Sequence, residues 1–402
     1  MPSDAITELV QIPGFSVALI EFSEKKGFTP EVRISLSRDK PIYCCSGCGQ
    51  NYLTYYDAQP YQLRDLPYGK WKKAYLLFEK VRVDCSNCGV KIEKLSWLES
   101  WAKLTKRFEE EVALECRIIQ SIKAIAKRFN LGWDTVKDID KKYLDRELNP
   151  PNFTDVKCLA IDEIAIKKGH KYATVIAEAN RSRVLWVVKG RSEKSLNRFY
   201  RQLGKKGCRQ IEAVAVDMWP AYEASTRKYC PQAKIIYDQF HVVQNYGKVI
   251  DKVRNSELAK AHESQKGVLK GTKYLLLSNR AHVRGKKRVR LDDLLKVNQA
   301  LSTVYILKDD LKHLWDYRYE GLARKWFDGW YNRAKESGIT PLIKFADSLK
   351  EHLNGILAHC RYPLNTSFLE GMNNKIKVIK RIAFGFRDMD YFFLKIRGAF
   401  KG

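Results

Sequence analysis

The sequence predicts a multidomain α+β protein, because three patterns of apolar residues follow one another along its 402 residues. Residues 1–97 alternate apolar and polar side chains, as half-buried strands do, and contain two Cys-x-x-Cys pairs. Residues 98–150 repeat apolar side chains at helical spacing. After residue 151, strand-like runs alternate with turns until a helical and very basic stretch begins near residue 241. A chain of this length has room for about two to four domains.

The charge of the chain indicates a polyanionic partner. Lysine and arginine together number 73 against 46 acidic residues, which gives a net charge of +27. A general solubility charge is the alternative. Hydrophobic residues make up 45% of the chain, which excludes a disordered tail protein. We find neither a secretory signal nor an apolar run of about 18 residues, so we expect a cytoplasmic protein without a transmembrane helix.

The first segment combines strands with a candidate metal site. Val32–Leu36 and Val81–Val83 alternate apolar and polar residues, and both are predicted strands. The Cys-x-x-Cys pairs lie between and after them, and each pair is followed by a glycine that permits a tight turn. Two such pairs predict a tetrahedral Zn²⁺ site that is structural, because four thiolates leave no open position. Redox or buried cysteines are the alternative. The predicted ligands are Cys45, Cys48, Cys85 and Cys88.

The next segment has the pattern of a helix-turn-helix domain. Ser121–Phe129 and Trp133–Tyr143 have helical spacing, and Asn130–Gly132 breaks the pattern between them. In this pattern Ala126 allows close contact between helices, while Val136 faces the core. A generic helical hairpin is the alternative interpretation. The side chains expected to face outward and contact DNA are Thr135, Lys137, Lys141 and Lys142.

Five strands are predicted between residues 157 and 240, with one helix after the third. Three strands, a helix, a strand and another strand are the order of a ribonuclease-H-like fold. Residues 241–364 are then mostly helical and basic, with no second series of strands. The predicted strands are 158–166, 172–177, 184–188, 211–216 and 233–237, and the helix is 192–203.

Two aspartates on these strands predict a site for divalent cations. Asp162 interrupts an apolar run, where an unpaired buried carboxylate is costly, and Asp217 directly follows the fourth strand. The two strands are neighbours in a ribonuclease-H-like sheet, so the acids meet at one edge. A third carboxylate from a late helix would complete a site for two Mg²⁺ or Mn²⁺ ions that promote phosphoryl transfer. A turn or helix cap is the alternative for each aspartate alone.

Three further residues near this edge have two interpretations each. Asp238 and His241 follow the fifth strand, where they could position DNA or an ion's water. Alternatively, Asp238 caps the next helix and His241 is packed. Trp219 could stack on an unpaired base or pack against the protein. Glu163 should point to the opposite face of its strand from Asp162, so we do not expect it to be a ligand.

A basic cluster lies between residues 280 and 290, with glycines nearby that suggest loops. It shows no helical period that would direct it at bases, so we predict contacts with DNA phosphates. Its members are Arg284, Lys286, Lys287, Arg288 and Arg290.

Four segments resemble the DDE transposases of bacterial insertion sequences, most closely the ISL3 (ISL-three) family. They are Ala160–Glu163, Val214–Trp219, Tyr237–Val242 and Asn365–Asn374. The paired cysteines and the helix-turn-helix pattern are also similar to that family, so the resemblance covers nearly the whole chain.

The resemblance implies that Asp162, Asp217 and Glu370 are the catalytic carboxylates, with an all-helical insertion between the second and third. It also relates the run from Lys377 through Arg381 to Arg387 to the family's C-terminal motif, which we expect to contact DNA. The implied domains are 1–97 (zinc-binding β module), 98–150 (helix-turn-helix), 151–240 (catalytic domain, first part), 241–364 (insertion) and 365–402 (final helices).

The implied function is that of a transposase acting on double-stranded DNA. It would bind the terminal inverted repeats of an insertion sequence, cleave the DNA and join a 3′-hydroxyl to target DNA, as a homodimer near the bacterial nucleoid. An inactive or domesticated DNA-binding relative is one alternative, which the three intact carboxylates argue against. A nuclease without strand transfer is another, and the same carboxylates would serve it.

Overall fold

A computed structural model describes residues 2–99, 102–118, 120–167, 169–364 and 367–401. It separates into two compact units. Residues 1–149 and 378–398 form the first, which we call the N-terminal unit, and residues 150–377 and 399–402 form the second, which we call the central unit.

The N-terminal unit begins with a mostly antiparallel sheet of five strands in the order β1-β2-β6-β5, with β7 beside β6. Val32, Ile34 and Leu36 on β2 are buried and the residues between them are not, which confirms the predicted strand and its alternation. The elements are α1 (Pro2–Val10), β1 (Phe15–Ser23), β2 (Glu31–Arg38), β3 (Tyr43–Cys44), β4 (Asn51–Tyr52), β5 (Asp57–Asp65), β6 (Lys73–Cys85) and β7 (Gly89–Ile92).

Three helices follow: α2 (Lys106–Glu115), α3 (Ile122–Phe129) and α4 (Trp133–Leu148). The Ser121 side chain accepts a hydrogen bond from the Ala124 amide and so caps α3. Asn130 ends α3 in the left-handed conformation, with φ 53°, and turns the chain into α4. Ala126 and Val136 are buried between the helices, as expected from the sequence. These features confirm the helix-turn-helix prediction.

The central unit is built on a sheet of five strands in the order β10-β9-β8-β11-β12. The first three strands along the chain are antiparallel to one another, whereas β11 is parallel to both β8 and β12. Its elements up to the last strand are β8 (Cys158–Lys167), β9 (Lys171–Glu178), β10 (Arg183–Lys189), α5 (Glu193–Gln210), β11 (Ala213–Val216), α6 (Pro220–Tyr229) and β12 (Lys234–Tyr237).

All five predicted strands are present, but the helices differ from the prediction in two places. The first helix was predicted to end at Leu203, yet α5 continues to Gln210 after a kink at Gly204, whose φ is 73°. Glycine adopts this conformation without steric cost, so the chain re-enters a helix after the bend. The second difference is α6, which lies between β11 and β12 and was not predicted. It begins with Pro220, a residue favoured in the first turn of a helix.

From Gln239 to Leu364 the described residues form only helices and turns. Large aromatic side chains fill their core, including Tyr246, Tyr305, Phe327 and Trp330. The basic cluster was predicted without a helical period, but its residues from Lys286 onward form the start of α10. The helices are α7 (Gln239–Lys260), α8 (Glu263–Leu269), α9 (Lys273–Leu277), α10 (Lys286–Val297), α11 (Gln299–Lys312), α12 (Glu320–Glu336), α13 (Thr340–Glu351) and α14 (Leu353–Leu357).

Two helices complete the chain, α15 (Ser367–Ile382) and α16 (Met389–Ala399). The first residues of the quoted motif that begins at Asn365 lie outside the described residues. Residues 378–398 return to the N-terminal unit, although they come last in the sequence. No helix in the described ranges has the length and apolar character needed to cross a membrane.

Asp140 joins α16 to the helix-turn-helix domain within the N-terminal unit. Its side chain is fully buried in α4 and accepts hydrogen bonds from the Tyr391 hydroxyl at 2.6 Å and the Lys395 ammonium at 2.9 Å. The Arg117 guanidinium lies 3.6 Å away. A buried carboxylate is tolerated only when it is paired, and here two cations and a hydroxyl surround it.

We predict that Asp140→Ala lowers the free energy of unfolding of this unit by about 3 kcal/mol, because it leaves the Lys395 charge without its partner. Asp138→Ala is the matched control on the same helix, since that side chain is 75% exposed; its effect should stay within about 0.5 kcal/mol. Urea unfolding curves of the full chain and both variants make the comparison. Equal curves for the two variants would contradict the assigned role.

Candidate functional site

Asp162, Asp217 and Glu370 line one cleft of the central unit, with a volume of about 940 Å³. Asp162 lies on β8, Asp217 directly follows β11, and Glu370 lies in the first turn of α15. The sequence therefore predicted three residues, more than 200 positions apart at the extremes, that the fold brings to one cavity.

The sheet explains how the two aspartates meet. β8 and β11 are neighbouring parallel strands, and Ala160 is paired with Ala215. Each aspartate lies two residues beyond that pair, so both reach the same edge of the sheet. Both strands consist of buried apolar residues around the acids, which fixes their register and leaves the carboxylates at the border of the core.

The Asp162 carboxylate is held by two hydrogen bonds. One oxygen accepts from the Glu163 amide at 2.7 Å and the other from the Asn373 side-chain amide at 2.6 Å. Asp162 is 8% exposed, and burial raises its pKa above the usual value despite these donors. Asn373 lies one helical turn after Glu370, so one face of α15 carries both residues. Asn373 was not predicted from the sequence, although its position one helical turn after Glu370 could have indicated it.

Burial also raises the pKa of Asp217, to about 6. The carboxylates of Asp162 and Glu163 add to this rise, and His241 opposes it. Clustered, partly desolvated carboxylates are unfavourable on their own, and a cation would relieve the repulsion. Oxygen donors of this kind fit Mg²⁺ or Mn²⁺. Across the described residues, however, the carboxylate oxygens of this cleft do not converge to within 4.8 Å of one another as a group of three, and Glu370 is exposed.

Asp238 and His241 also line the cleft. Asp238 accepts a hydrogen bond from the Phe240 amide at 2.9 Å and caps α7, while remaining at the wall of the cavity. The His241 Nε2 lies 4.0 Å from an Asp162 oxygen and 3.9 Å from an Asp238 oxygen. Asp238 thus combines a capping role with a position beside the acids. The His241 side chain, at 27% exposure, is not fully packed away.

A stacked group of side chains forms the rim next to Asp217. The Arg191 guanidinium lies over the rings of Tyr172, at 4.3 Å, and Trp219, at 4.8 Å. It also pairs with Glu163 at 3.3 Å. The Trp219 indole N–H donates to the Arg191 carbonyl at 3.1 Å, as expected if Trp219 packs against the protein. The ring is still 38% exposed at the cleft. Arg191 was not identified from the sequence.

The four predicted cysteine ligands converge in the N-terminal unit. The sulfurs of Cys45, Cys48, Cys85 and Cys88 all lie within 4.8 Å of one another, the only such group of metal-ligating side chains among the residues described. Gly49 and Gly89, which follow the two pairs, have φ of 79° and 70°. This conformation lets each pair turn both sulfurs toward one point, and the donor set fits Zn²⁺.

Two neighbours of this cluster differ in their relation to it. The Tyr52 hydroxyl donates to the Cys85 sulfur at 3.1 Å, and this hydrogen bond is the main cause that lowers the pKa of Cys85 to about 6. Thiolate is the form that binds a metal. Cys44 is not part of the group, and its sulfur lies 3.5 Å from the carbonyl oxygen of Gly49.

The recognition-helix candidates on α4 are partly engaged within the N-terminal unit. Lys137 and Lys141 pair with Asp388 at 3.3 and 2.9 Å. Lys142 pairs with Glu99 at 2.7 Å and with Glu109 at 2.5 Å. Thr135 is half-buried. These lysines are therefore not the freely solvated cations that the helical pattern suggested.

The other predicted DNA contacts are mostly exposed. In the basic cluster, Arg288 pairs with Asp292 at 3.1 Å, and Arg290 donates to the Lys270 carbonyl at 2.7 Å. The exposed residues of this set that the structure describes include Arg284, Lys286, Lys287, Lys377, Arg381 and Arg387.

A DNA-binding helix-turn-helix domain together with an acidic cleft on a mixed sheet is the arrangement of a DNA-processing protein, and comparison with known proteins gives the family. Residues 159–396 match the DDE_Tnp_ISL3 family model, described as "Transposase". Residues 93–144 match the model of the helix-turn-helix domain of transposase family ISL3.

Two named relatives agree with these matches. The chain is 41% identical over 395 residues to the transposase for insertion sequence element IS1001 of Bordetella parapertussis, which covers 97% of this chain and 96% of that protein. It is 28% identical over 371 residues to the transposase for IS1557 of Mycobacterium tuberculosis (strain H37Rv), with 85% and 82% covered. The chain belongs to the ISL3 family of transposases, as the sequence motifs predicted.

Proposed function

We propose that this chain is an active transposase that binds the terminal inverted repeats of an insertion sequence and catalyses metal-dependent cleavage and strand transfer. The observation that carries the proposal is the shared cleft of Asp162, Asp217 and Glu370. DNA binding is supported by the helix-turn-helix domain and the family membership. Because the substrate is DNA, we expect the protein to act in the cytoplasm at the nucleoid, and synapsis of two ends favours a homodimer.

The proposed chemistry assigns a role to each acidic residue. Asp162, Asp217 and Glu370 are the ligands for Mg²⁺ or Mn²⁺, and these ions, when bound, activate an attacking oxygen and stabilise the leaving one. Asn373 fixes the Asp162 carboxylate, since its amide donates to the oxygen that the Glu163 amide does not contact. The strand order supports a ribonuclease-H-like catalytic domain built on residues 151–240, with 241–364 as a helical insertion. Of the segment 365–402 that was expected to complete this domain, residues 378–398 belong to the N-terminal unit, so α15 as far as Lys377 is the part that joins the sheet domain.

We predict that Asp162→Ala, Asp217→Ala or Glu370→Ala abolishes cleavage of a terminal-repeat duplex and leaves binding of that duplex within about twofold. Binding survives because it depends on phosphate and base contacts away from these acids. Glu336→Ala, an exposed glutamate at the end of α12, is the control. Joined products in the presence of target DNA separate a transposase from a nuclease. Cleavage by Glu370→Ala at the wild-type rate would contradict the third assignment.

We predict one bound Zn²⁺ per chain, held by the four clustered cysteines. Cys85→Ser should lose the metal and lower the melting temperature, because a structural zinc contributes folding energy. Cys44→Ser is the matched control, since this neighbouring cysteine lies outside the cluster. Metal analysis of the purified full chain measures zinc content, and a thermal melt measures stability. Full zinc content in Cys85→Ser would refute the assignment.

The DNA contacts are proposed in two sets. Thr135, Lys137, Lys141 and Lys142 on α4 would approach base edges, and Lys137 and Lys141 would exchange Asp388 for DNA. The basic cluster would hold phosphates, together with Lys377, Arg381 and Arg387. Lys286, Lys287 and Arg288 occupy the first turn of α10, where the helix dipole disfavours cations. A phosphate bound at that end would offset the positive charge of these side chains and of the helix dipole. This supports the assignment of the basic cluster to phosphate contacts.

We predict that the triple variant Arg284→Ala, Lys286→Ala, Lys287→Ala weakens binding to terminal-repeat and random DNA alike. It should also flatten the salt dependence by about one unit for each phosphate that the variant no longer neutralises. Lys137→Ala with Lys141→Ala should instead reduce discrimination between the two DNAs by about 1–3 kcal/mol. Lys296→Ala, at the other end of α10, is the control. Binding isotherms at several salt concentrations test both variants. If the triple variant lost discrimination and the double variant on α4 lost only general affinity, the two roles would be exchanged.

A further inference from the structure

Phe384 occupies a backbone position where its side chain is unfavourable. It follows the end of α15 with φ 53°, in the left-handed region. The Phe384 amide donates to the Arg381 carbonyl at 2.9 Å, and the Gly385 amide donates to the Lys380 carbonyl at 2.9 Å. These two bonds form the Schellman motif that terminates many helices, in which glycine is the usual residue at the position that Phe384 holds.

The ring has no compensating burial in the fold. Phe384 is 96% exposed, the highest exposure among the large hydrophobic side chains described. Five other non-glycine residues in the described ranges have positive φ: Gln11, Asn130, Asp155, His170 and Ser182. All five are polar, and Asn, Asp and His are the types that tolerate this region. A bulky apolar residue there costs conformational energy and, at this exposure, gains none from burial.

The surroundings of Phe384 are basic and firmly anchored. Arg381 and Arg387 are exposed on either side of it. Four residues after Phe384, Asp388 caps α16 by accepting from the Tyr391 amide at 3.0 Å, and it also pairs with Lys141 of the helix-turn-helix domain. The turn is therefore held in place within the N-terminal unit, and it exposes an aromatic ring with an exposed arginine three residues before it and another three residues after it.

We propose that Phe384 is a DNA-contacting residue whose ring stacks on the face of a nucleobase, while Arg381 and Arg387 hold the flanking phosphates. Strained backbone persists where function requires it, and an exposed ring with exposed arginines on both sides of it in the sequence matches the chemistry of a base with its two phosphates. Proteins also insert apolar side chains between base pairs of a duplex. The base is either unpaired beforehand or unstacked from the duplex by the ring. This inference rests on the proposed function, since it requires DNA as the substrate.

Two variants separate this role from a structural one. Phe384→Gly removes the ring and the strain that this side chain causes in the left-handed conformation. It should therefore leave the melting temperature unchanged or raise it. Phe384→Asn removes the ring but keeps a side chain that tolerates positive φ. A residue that stabilised the fold would give the opposite result, a lower melting temperature on removal. Phe384→Trp keeps an aromatic face and should bind as the wild type does.

The test is binding of the full chain to two probes, a duplex of about 30 base pairs and the same duplex with a short unpaired stretch, since stacking tolerates any sequence. We expect Phe384→Gly and Phe384→Asn to lose affinity by about tenfold on at least one probe. Tyr319→Ala, another exposed aromatic, is the control and should bind normally. A weaker affinity for the duplex indicates insertion between paired bases, and an effect confined to the second probe indicates capture of an unpaired base.

Two results would overturn the proposal. One is wild-type affinity of both variants on both probes. The other is a melting temperature several degrees lower in Phe384→Gly, which would show that the ring supports the fold. Failure of the wild-type chain to bind either probe would instead count against DNA as the substrate. The two failures are therefore distinguishable.

Discussion

The central unit depends on one constraint, the burial of carboxylates at the edge of an apolar sheet. Asp162 and Asp217 end up close together because β8 and β11 are adjacent and parallel, and the strand residues that precede each acid are buried. Such carboxylates are costly without compensation. Part of the compensation comes from the chain itself, through the Asn373 amide and the nearby His241. Burial still raises the pKa of both aspartates, so it outweighs this compensation, and a bound cation would relieve the remaining cost.

Other elements of this unit position the acids or pair with them. α15 brings Glu370 into the cleft and, one turn later, the amide that orients Asp162. Arg191 contacts two aromatic rings and pairs with Glu163, a further carboxylate of the same cleft. A side chain at the border of the cleft therefore influences its charge by pairing with one of its carboxylates.

The N-terminal unit also brings polar groups together inside its fold, but with different chemistry. Four thiols converge where two tight turns meet, and a fully buried aspartate, Asp140, joins the helix-turn-helix domain to α16. Among the described residues, the buried apolar side chains of this unit form several clusters, of which the larger two lie at the sheet and between the three helices. The lysines of α4 share this feature, because Asp388 and Glu109 pair with them. Under the proposed DNA contacts, these lysines would exchange those partners for DNA.

The sequence by itself determined the features that local patterns encode. The alternation in β2, the helix-turn-helix break at Asn130 and the paired cysteines were all readable, because each depends on neighbours within a few residues. The tertiary structure alone decided which distant groups meet. The bond from Asn373 to Asp162 spans 211 positions, and the pairing of Lys395 with Asp140 spans 255. No periodicity encodes such contacts, since they arise from the packing of whole elements.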